Sequence, residues 1–227
     1  MTGTSVLGIK FDGGVMLAAD TLGEPVLPLT CLVPPLMPVI PASYGSLARF
    51  DDVQRLHKVG KHTCIAAGGD MSDFQYLQHI VDAKIREQSI HGDDHALEPS
   101  EIYAWLGRVM YARRSKMDPL WMSLLVGGIE DGEPCVHTLH LGLTQDGTRH
   151  RVLGCVDLQG TTYTSPTMAT GYGAHLALPL MRREVEGLPD GRLPTREESE
   201  ALLERCLRVL FYRDARSVNK VRSILLV

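Results

Sequence analysis

The stretch Thr4–Asp20, TSVLGIKFDGGVMLAAD, constrains the fold most. Val6, Gly8 and Lys10 alternate with Leu7, Ile9 and Phe11, the period of a strand. Asp12-Gly13-Gly14 supplies the positive-φ positions of a tight turn, and Val15–Ala19 is a second apolar run ending on Asp20. A hairpin therefore begins just after Thr4 and carries an aspartate back beside it. A threonine in that place gains special chemistry only if its own α-amine is free. An amine of pKa about 7.7–8.0 can then act as general base for the hydroxyl of the same residue.

Further along, strands and helices come in blocks. Val53–Val59 and Thr63–Gly69 read as strands, the second ending in a Gly-Gly-Asp corner. Asp73 is a candidate N-cap for a helix with Phe74, Leu77, Val81 and Ile85 on one face. Pro99-Ser100 opens a second helix bearing Ile102, Trp105, Leu106, Val109 and Met110, and the basic cluster Arg113-Arg114-Lys116 suits its end. Leu120–Ile129 is a nearly continuous apolar strand, the kind buried on both faces. Asp131-Gly132 turns into a return strand at Cys135–Leu143, and Arg149–Asp157 is a further strand. Ala174–Glu186 is a third helix, with Pro179 as a kink or a first-turn proline. The capping box Thr195-Arg196-Glu197-Glu198 opens a fourth, with Leu202, Leu203, Cys206, Leu207 and Leu210 inward, and Asn219–Val227 is a last strand. Helices in pairs argue against a doubly wound parallel sheet and for an α+β stack of antiparallel sheets between helix layers.

Composition narrows the function. A chain of 227 residues with net charge −4 and pI near 6.1 has no electrostatic case for nucleic acid or an anionic membrane. Five scattered cysteines without a CxxC read as reduced thiols, and residues 1–5 lack a signal peptide's basic and apolar regions. Pro25–Ala42 is apolar and uncharged, but its prolines exclude a spanning helix. It reads as an inserted loop that packs on a neighbour. Among the nine histidines, His137 and His140 are three apart on a strand and so face opposite sides, and no metal or cofactor is expected. Gly171-Tyr172-Gly173 is a bend and not a phosphate loop, and Tyr212–Ser217, YRDARS, reads by itself as a charged helix end.

In combination, TSVLGIKFDGGVMLAAD, AAGGD, GYG and YRDARS, in this order, resemble the β-type subunits of the 20S proteasome, which are N-terminal-nucleophile threonine hydrolases. SYGSLARF, GDMSDFQYL, MYARRSKMDPLW, ATGYGAHLA and CLRVLFYRDARS look most like the member at the seventh β position, which is non-catalytic in the family. The resemblance spans residues 1–227 as one domain, with insertions near 24–42 and 138–151. It implies a four-layer αββα fold and a structural role. The implied partners are other β subunits of the same ring, the α ring and the opposing β ring, in cytoplasm and nucleus.

The resemblance also maps a vestigial site. Thr4 falls on the nucleophile, Asp20 on the acid that pairs with the catalytic lysine, and Arg55 on that lysine. Gly69 falls on the oxyanion-hole glycine, Tyr172 on a serine near the threonine's amine, and Asp214 and Ser217 on the remaining polar partners. Arg55 and Tyr172 depart from the pattern. A guanidinium cannot be deprotonated in a protein, and a ring at a crowded spot would obstruct the amine or an attacking water. Met1-Thr2-Gly3 also precede Thr4, so its nitrogen is a peptide amide unless they are removed. The alternative is an active threonine endopeptidase using Thr4. A simpler homo-oligomeric hydrolase is a further rival, against which the YRDARS ending and the missing lysine speak.

Overall fold

The computed structural model describes residues 2–3, 5–20, 42–44, 47–50, 54–91, 97–130, 150–214 and 221–226. In chain order the strands before the first helix are β1 (Thr2–Gly3), β2 (Val6–Phe11), β3 (Gly14–Asp20), β4 (Ala42–Tyr44), β5 (Leu47–Phe50), β6 (Leu56–Val59) and β7 (Thr63–Asp70). Helices α1 (Met71–His91) and α2 (Pro99–Ser115) follow, then β8 (Met122–Glu130), β9 (His150–Val156), β10 (Thr162–Thr164) and β11 (Thr167–Ala169). The chain continues with α3 (Gly173–Glu186), α4 (Arg196–Arg213) and β12 (Val221–Leu226).

The described strands form two sheets, every neighbouring pair antiparallel. One runs β10-β9-β8-β7-β1-β4-β5, with β6 lying beside β1 along the same edge of β7. The other is β11-β2-β3-β12. The expected hairpin is present: Phe11 faces Gly14 across the turn, Gly13 takes φ +101°, and the ladder runs back to Val6 opposite Ala19.

Side-chain alternation sorts the strands into layers. On β2 and β3, Leu7, Ile9, Phe11, Met16 and Ala18 pack against α3 and α4, beside Met181, Leu203 and Cys206. Their neighbours Val6, Val15, Leu17 and Ala19 point the other way and meet Cys64, Ala66, Leu125 and Leu153 of the larger sheet. Ile65, Ala67, Leu124 and Val126 then face Phe74, Leu77, Leu106 and Met110 of α1 and α2. Three apolar seams thus separate four layers, αββα, as the paired helices imply. A fully buried aliphatic side chain contributes about 1.5–3 kcal/mol by transfer, so three such seams supply the driving force.

Local chemistry explains the helix boundaries. Thr195 Oγ1 accepts from the Glu198 N–H at 3.3 Å while the Thr195 N–H donates to Glu198 Oε2 at 2.8 Å, the expected capping box. Glu98 and Glu101 make a second box at α2, whose first residue is Pro99. Glu130 supports that same helix start from β8, its Oε1 accepting from the Ser100 N–H at 2.7 Å. Pro179 lies inside α3, beyond its first turn, and the helix runs through it.

Several sequence expectations shift. Helix α1 starts at Met71, so Asp73 is not its N-cap. Asp70 instead accepts from the Ser72 N–H at 3.0 Å, and Asp73 holds the Trp121 N–H at 2.8 Å. Within the second expected insertion, His150 and Arg151 begin β9, opposite Glu130 and Ile129. The rest of it, the return strand at 135–143, His137, His140 and nearly all of the proline-rich run lie outside the described residues. Among the described residues, no helix is long and apolar enough to cross a membrane, and no group of three His, Cys, Asp or Glu side chains is placed to hold a metal ion.

Candidate functional site

Thr2-Gly3 and Val6 lie in different sheets. Gly3 lies opposite Gly69 and Thr2 opposite Asp70 on the edge of β7, and Thr2 also faces Ser43 of β4. Three residues later, Val6 is in the second sheet. The far side of this crossing is fastened to the segment before α3. Ser5 Oγ, buried, accepts from the Gly173 N–H at 2.7 Å. Val6 donates to Thr170 Oγ1 at 3.2 Å, and Thr170 returns its own N–H to the Val6 carbonyl at 2.8 Å. Thr4 itself lies outside the described residues, as does Ser217.

Gly69 closes the other side. Its φ is +115°, a conformation that L side chains rarely adopt, and a Cβ there would sit 2.5 Å from the Trp121 carbonyl oxygen. Glycine is therefore required twice over, by dihedral angle and by space. Next to it, Asp70 keeps a carboxyl below the usual range: burial works to raise it, and the hydrogen bonds it accepts, that from the Ser72 backbone N–H foremost, together with nearby positive charge outweigh that.

Arg55 precedes β6 and is fully buried. Its Nε donates to the Ala67 carbonyl at 3.2 Å, and its own carbonyl accepts from the Ala67 N–H at 3.0 Å. A permanently charged group is thus built into the seam beside β7, where hydrogen bonds offset its desolvation. Asp20 ends β3, one residue past the Val6–Ala19 pair, so the hairpin returns it level with Ser5. Asp214 caps α4, donating its N–H to the Leu210 carbonyl at 2.7 Å.

The sequence expectation sets the Tyr172 ring against Thr4, which lies outside the described residues. Tyr172 is 55% exposed. Gly171, at φ +59°, and Gly173 draw the backbone against Ser5, and the residue between them is left at the surface.

The proteasome subunit family model matches residues 41–224. The chain belongs to the proteasome subunit family. It is 43% identical to the proteasome subunit beta type-4 of Xenopus laevis over 97% of this chain and 75% of that protein. It is 43% identical to the probable proteasome subunit beta type-7 of Schizosaccharomyces pombe, over 97% of this chain and 71% of the relative. The Saccharomyces cerevisiae proteasome subunit beta type-7 is 38% identical over 96% of this chain and 70% of its own length. As a member of this family the chain assembles with other proteasome subunits.

Within that frame the structure adds residues that sequence reasoning passes over. Ser5, Thr170 and Gly173 form the clamp behind the crossing, and Thr2-Gly3 form a strand. The signal for the clamp is present in ATGYGA, where a hydroxyl and a glycine precede a helix that opens on a second glycine, but by itself that stretch reads only as a bend. Nothing in a two-residue strand announces itself, since its partners are far away in sequence.

Proposed function

We propose that this chain is a catalytically silent, structural β subunit of the 20S proteasome core. It completes a seven-membered β ring, contacts its two ring neighbours, the α ring and the opposing β ring, and helps wall the proteolytic chamber. Its place of work is cytoplasm and nucleus. The observation that carries the reading is Arg55, a buried guanidinium at the position that the resemblance gives to the catalytic lysine. A lysine can be tuned by its surroundings to move a proton, and a guanidinium cannot. The pairing of Thr2 and Gly3 with β7 supports the same reading, because it gives a structural use to residues that an N-terminal threonine would have to lose.

The test is a particle assembled with this chain and treated with an epoxyketone or a boronate. The expected results are no adduct on Thr4, an intact mass that retains Thr2-Gly3, and peptidase activities nearly unchanged by Thr4→Ala. A labelled Thr4, or loss of one peptidase activity in the variant, establishes the active threonine endopeptidase instead.

A further inference from the structure

The turn that closes α2 lies within MYARRSKMDPLW; the Trp121 carbonyl accepts from the Asp70 N–H at 2.8 Å beside Gly69, but the side chains the turn exposes belong neither to the core nor to the candidate site. Met117 is 91% exposed, Trp121 66% and Tyr76 46%. Large apolar side chains this open add nothing to folding. Yet the turn is tied to both neighbouring helices. The Trp121 N–H donates to Asp73 Oδ2 of α1 at 2.8 Å. The Met117 N–H donates to the Arg114 carbonyl at 3.0 Å and the Asp118 N–H to the Arg113 carbonyl at 3.1 Å. Arg113 ion-pairs with Asp118 at 2.8 Å, and its guanidinium lies 5.4 Å from the centre of the Tyr76 ring. Met117 itself takes φ 59°, the one positive φ at a non-glycine among the described residues. A strained, anchored turn thus displays Met117 and Trp121 outward.

We infer that this turn is a preformed docking knob for a different subunit of the same particle, one that offers an apolar hollow with a carboxylate rim. The inference rests on the proposed structural role. Trp, Tyr and Arg are the residues that anchor protein interfaces, and Met is enriched there too. Asp118 already balances Arg113, whereas Arg114 and Lys116 are exposed and ion-pair with nothing among the described residues. The charge left to match is positive, so the rim is acidic. Preorganisation lowers the ordering cost of binding, which fits a rigid knob better than a mobile arm.

The test uses the full chain co-assembled with its partner subunits. A photo-crosslinker placed by Met117→p-benzoylphenylalanine is expected to capture a peptide of another subunit containing Asp or Glu. In competition with wild type, Met117→Ala/Trp121→Ala is expected to enter particles at least tenfold less, with an unchanged melting temperature of the free chain. Arg114→Glu/Lys116→Glu is expected to act in the same direction. Crosslinks confined to this chain's own residues 21–41, to a second copy of it, or to nothing overturn the inference, as does equal incorporation of the variants. Wild type absent from any particle overturns the proposed function itself, and this is visible before a variant is compared.

Discussion

Arg55 and Ala67 exchange two hydrogen bonds, one between main chains at 3.0 Å and one from the guanidinium to a carbonyl at 3.2 Å. The arginine at this position is therefore part of the sheet's structure. Arg55→Ala leaves a void at a fully buried site and an acceptor short of its donor, at a cost of about 3 kcal/mol. For a chain of this size that lowers the melting temperature by roughly 6–12 °C. Thermal denaturation of the free subunit checks it. A variant as stable as wild type would show the guanidinium to be dispensable.

Gly69 and Gly60 both have positive φ but differ in space. A Cβ on Gly69 meets the Trp121 carbonyl at 2.5 Å, and one on Gly60 meets nothing within 4 Å. Gly60→Ala is expected to cost only about 1 kcal/mol, the left-handed penalty. Gly69→Ala adds a backbone collision and is expected to cost about 4 kcal/mol or to abolish soluble protein. Parallel urea titrations compare them, and equal losses would contradict the close approach of Gly69 to the Trp121 carbonyl.

Ser5 Oγ is the acceptor for the buried Gly173 N–H. Ser5→Ala strands that donor, costing about 1–3 kcal/mol. The loss is local, so amide exchange at residues 170–173 should quicken more than exchange at Leu124 or Val126 in the central strand. Uniform acceleration would show that the clamp has no separate identity.

Two buried acids set the pH limits. Burial pushes the Glu130 carboxyl up, but the His150 imidazole 3.3 Å away and the hydrogen bond from Ser100 together outweigh it and leave the group below its ordinary value. Its folded pKa is depressed, so its contribution is present above the ordinary value of 4.5 and is lost as pH falls through the folded value. At the other end, burial pushes Tyr103 up to about 12 from 10.0. Its contribution is full below the lower value and is lost as pH rises toward the higher. Stability measured against pH should therefore fall on both flanks. Glu130→Gln is expected to flatten the acid arm and Tyr103→Phe the alkaline arm. An unchanged acid arm in the first variant would remove Glu130 from the account.

Much of this is legible in the sequence because it is local. The Asp12-Gly13-Gly14 turn fixes its own hairpin, Thr195 and Glu198 cap their own helix, and the inward face of α4 follows from spacing alone. What escapes depends on distant partners. β11 exists because Met168 pairs with Gly8, and β1 because Gly3 pairs with Gly69. Asp73 looks like a cap until Trp121, 48 residues on, supplies the N–H that it holds. The surface position of Tyr172 likewise comes from the Gly173–Ser5 contact, which no residue type encodes.

The smaller sheet is completed from opposite ends of the sequence. Val15 in β3 pairs with Leu226 in β12, about two hundred residues later. During synthesis, the early hairpin leaves the ribosome with both edges bare; β11 later covers the β2 edge, and the β3 edge waits through the making of both helical layers for β12. At elongation rates of about 5–20 residues per second, that is ~10–40 s of exposure. An unpaired strand edge is a template for wrong pairing, so a nascent chain of this design is expected to need that edge shielded until β12 has been made.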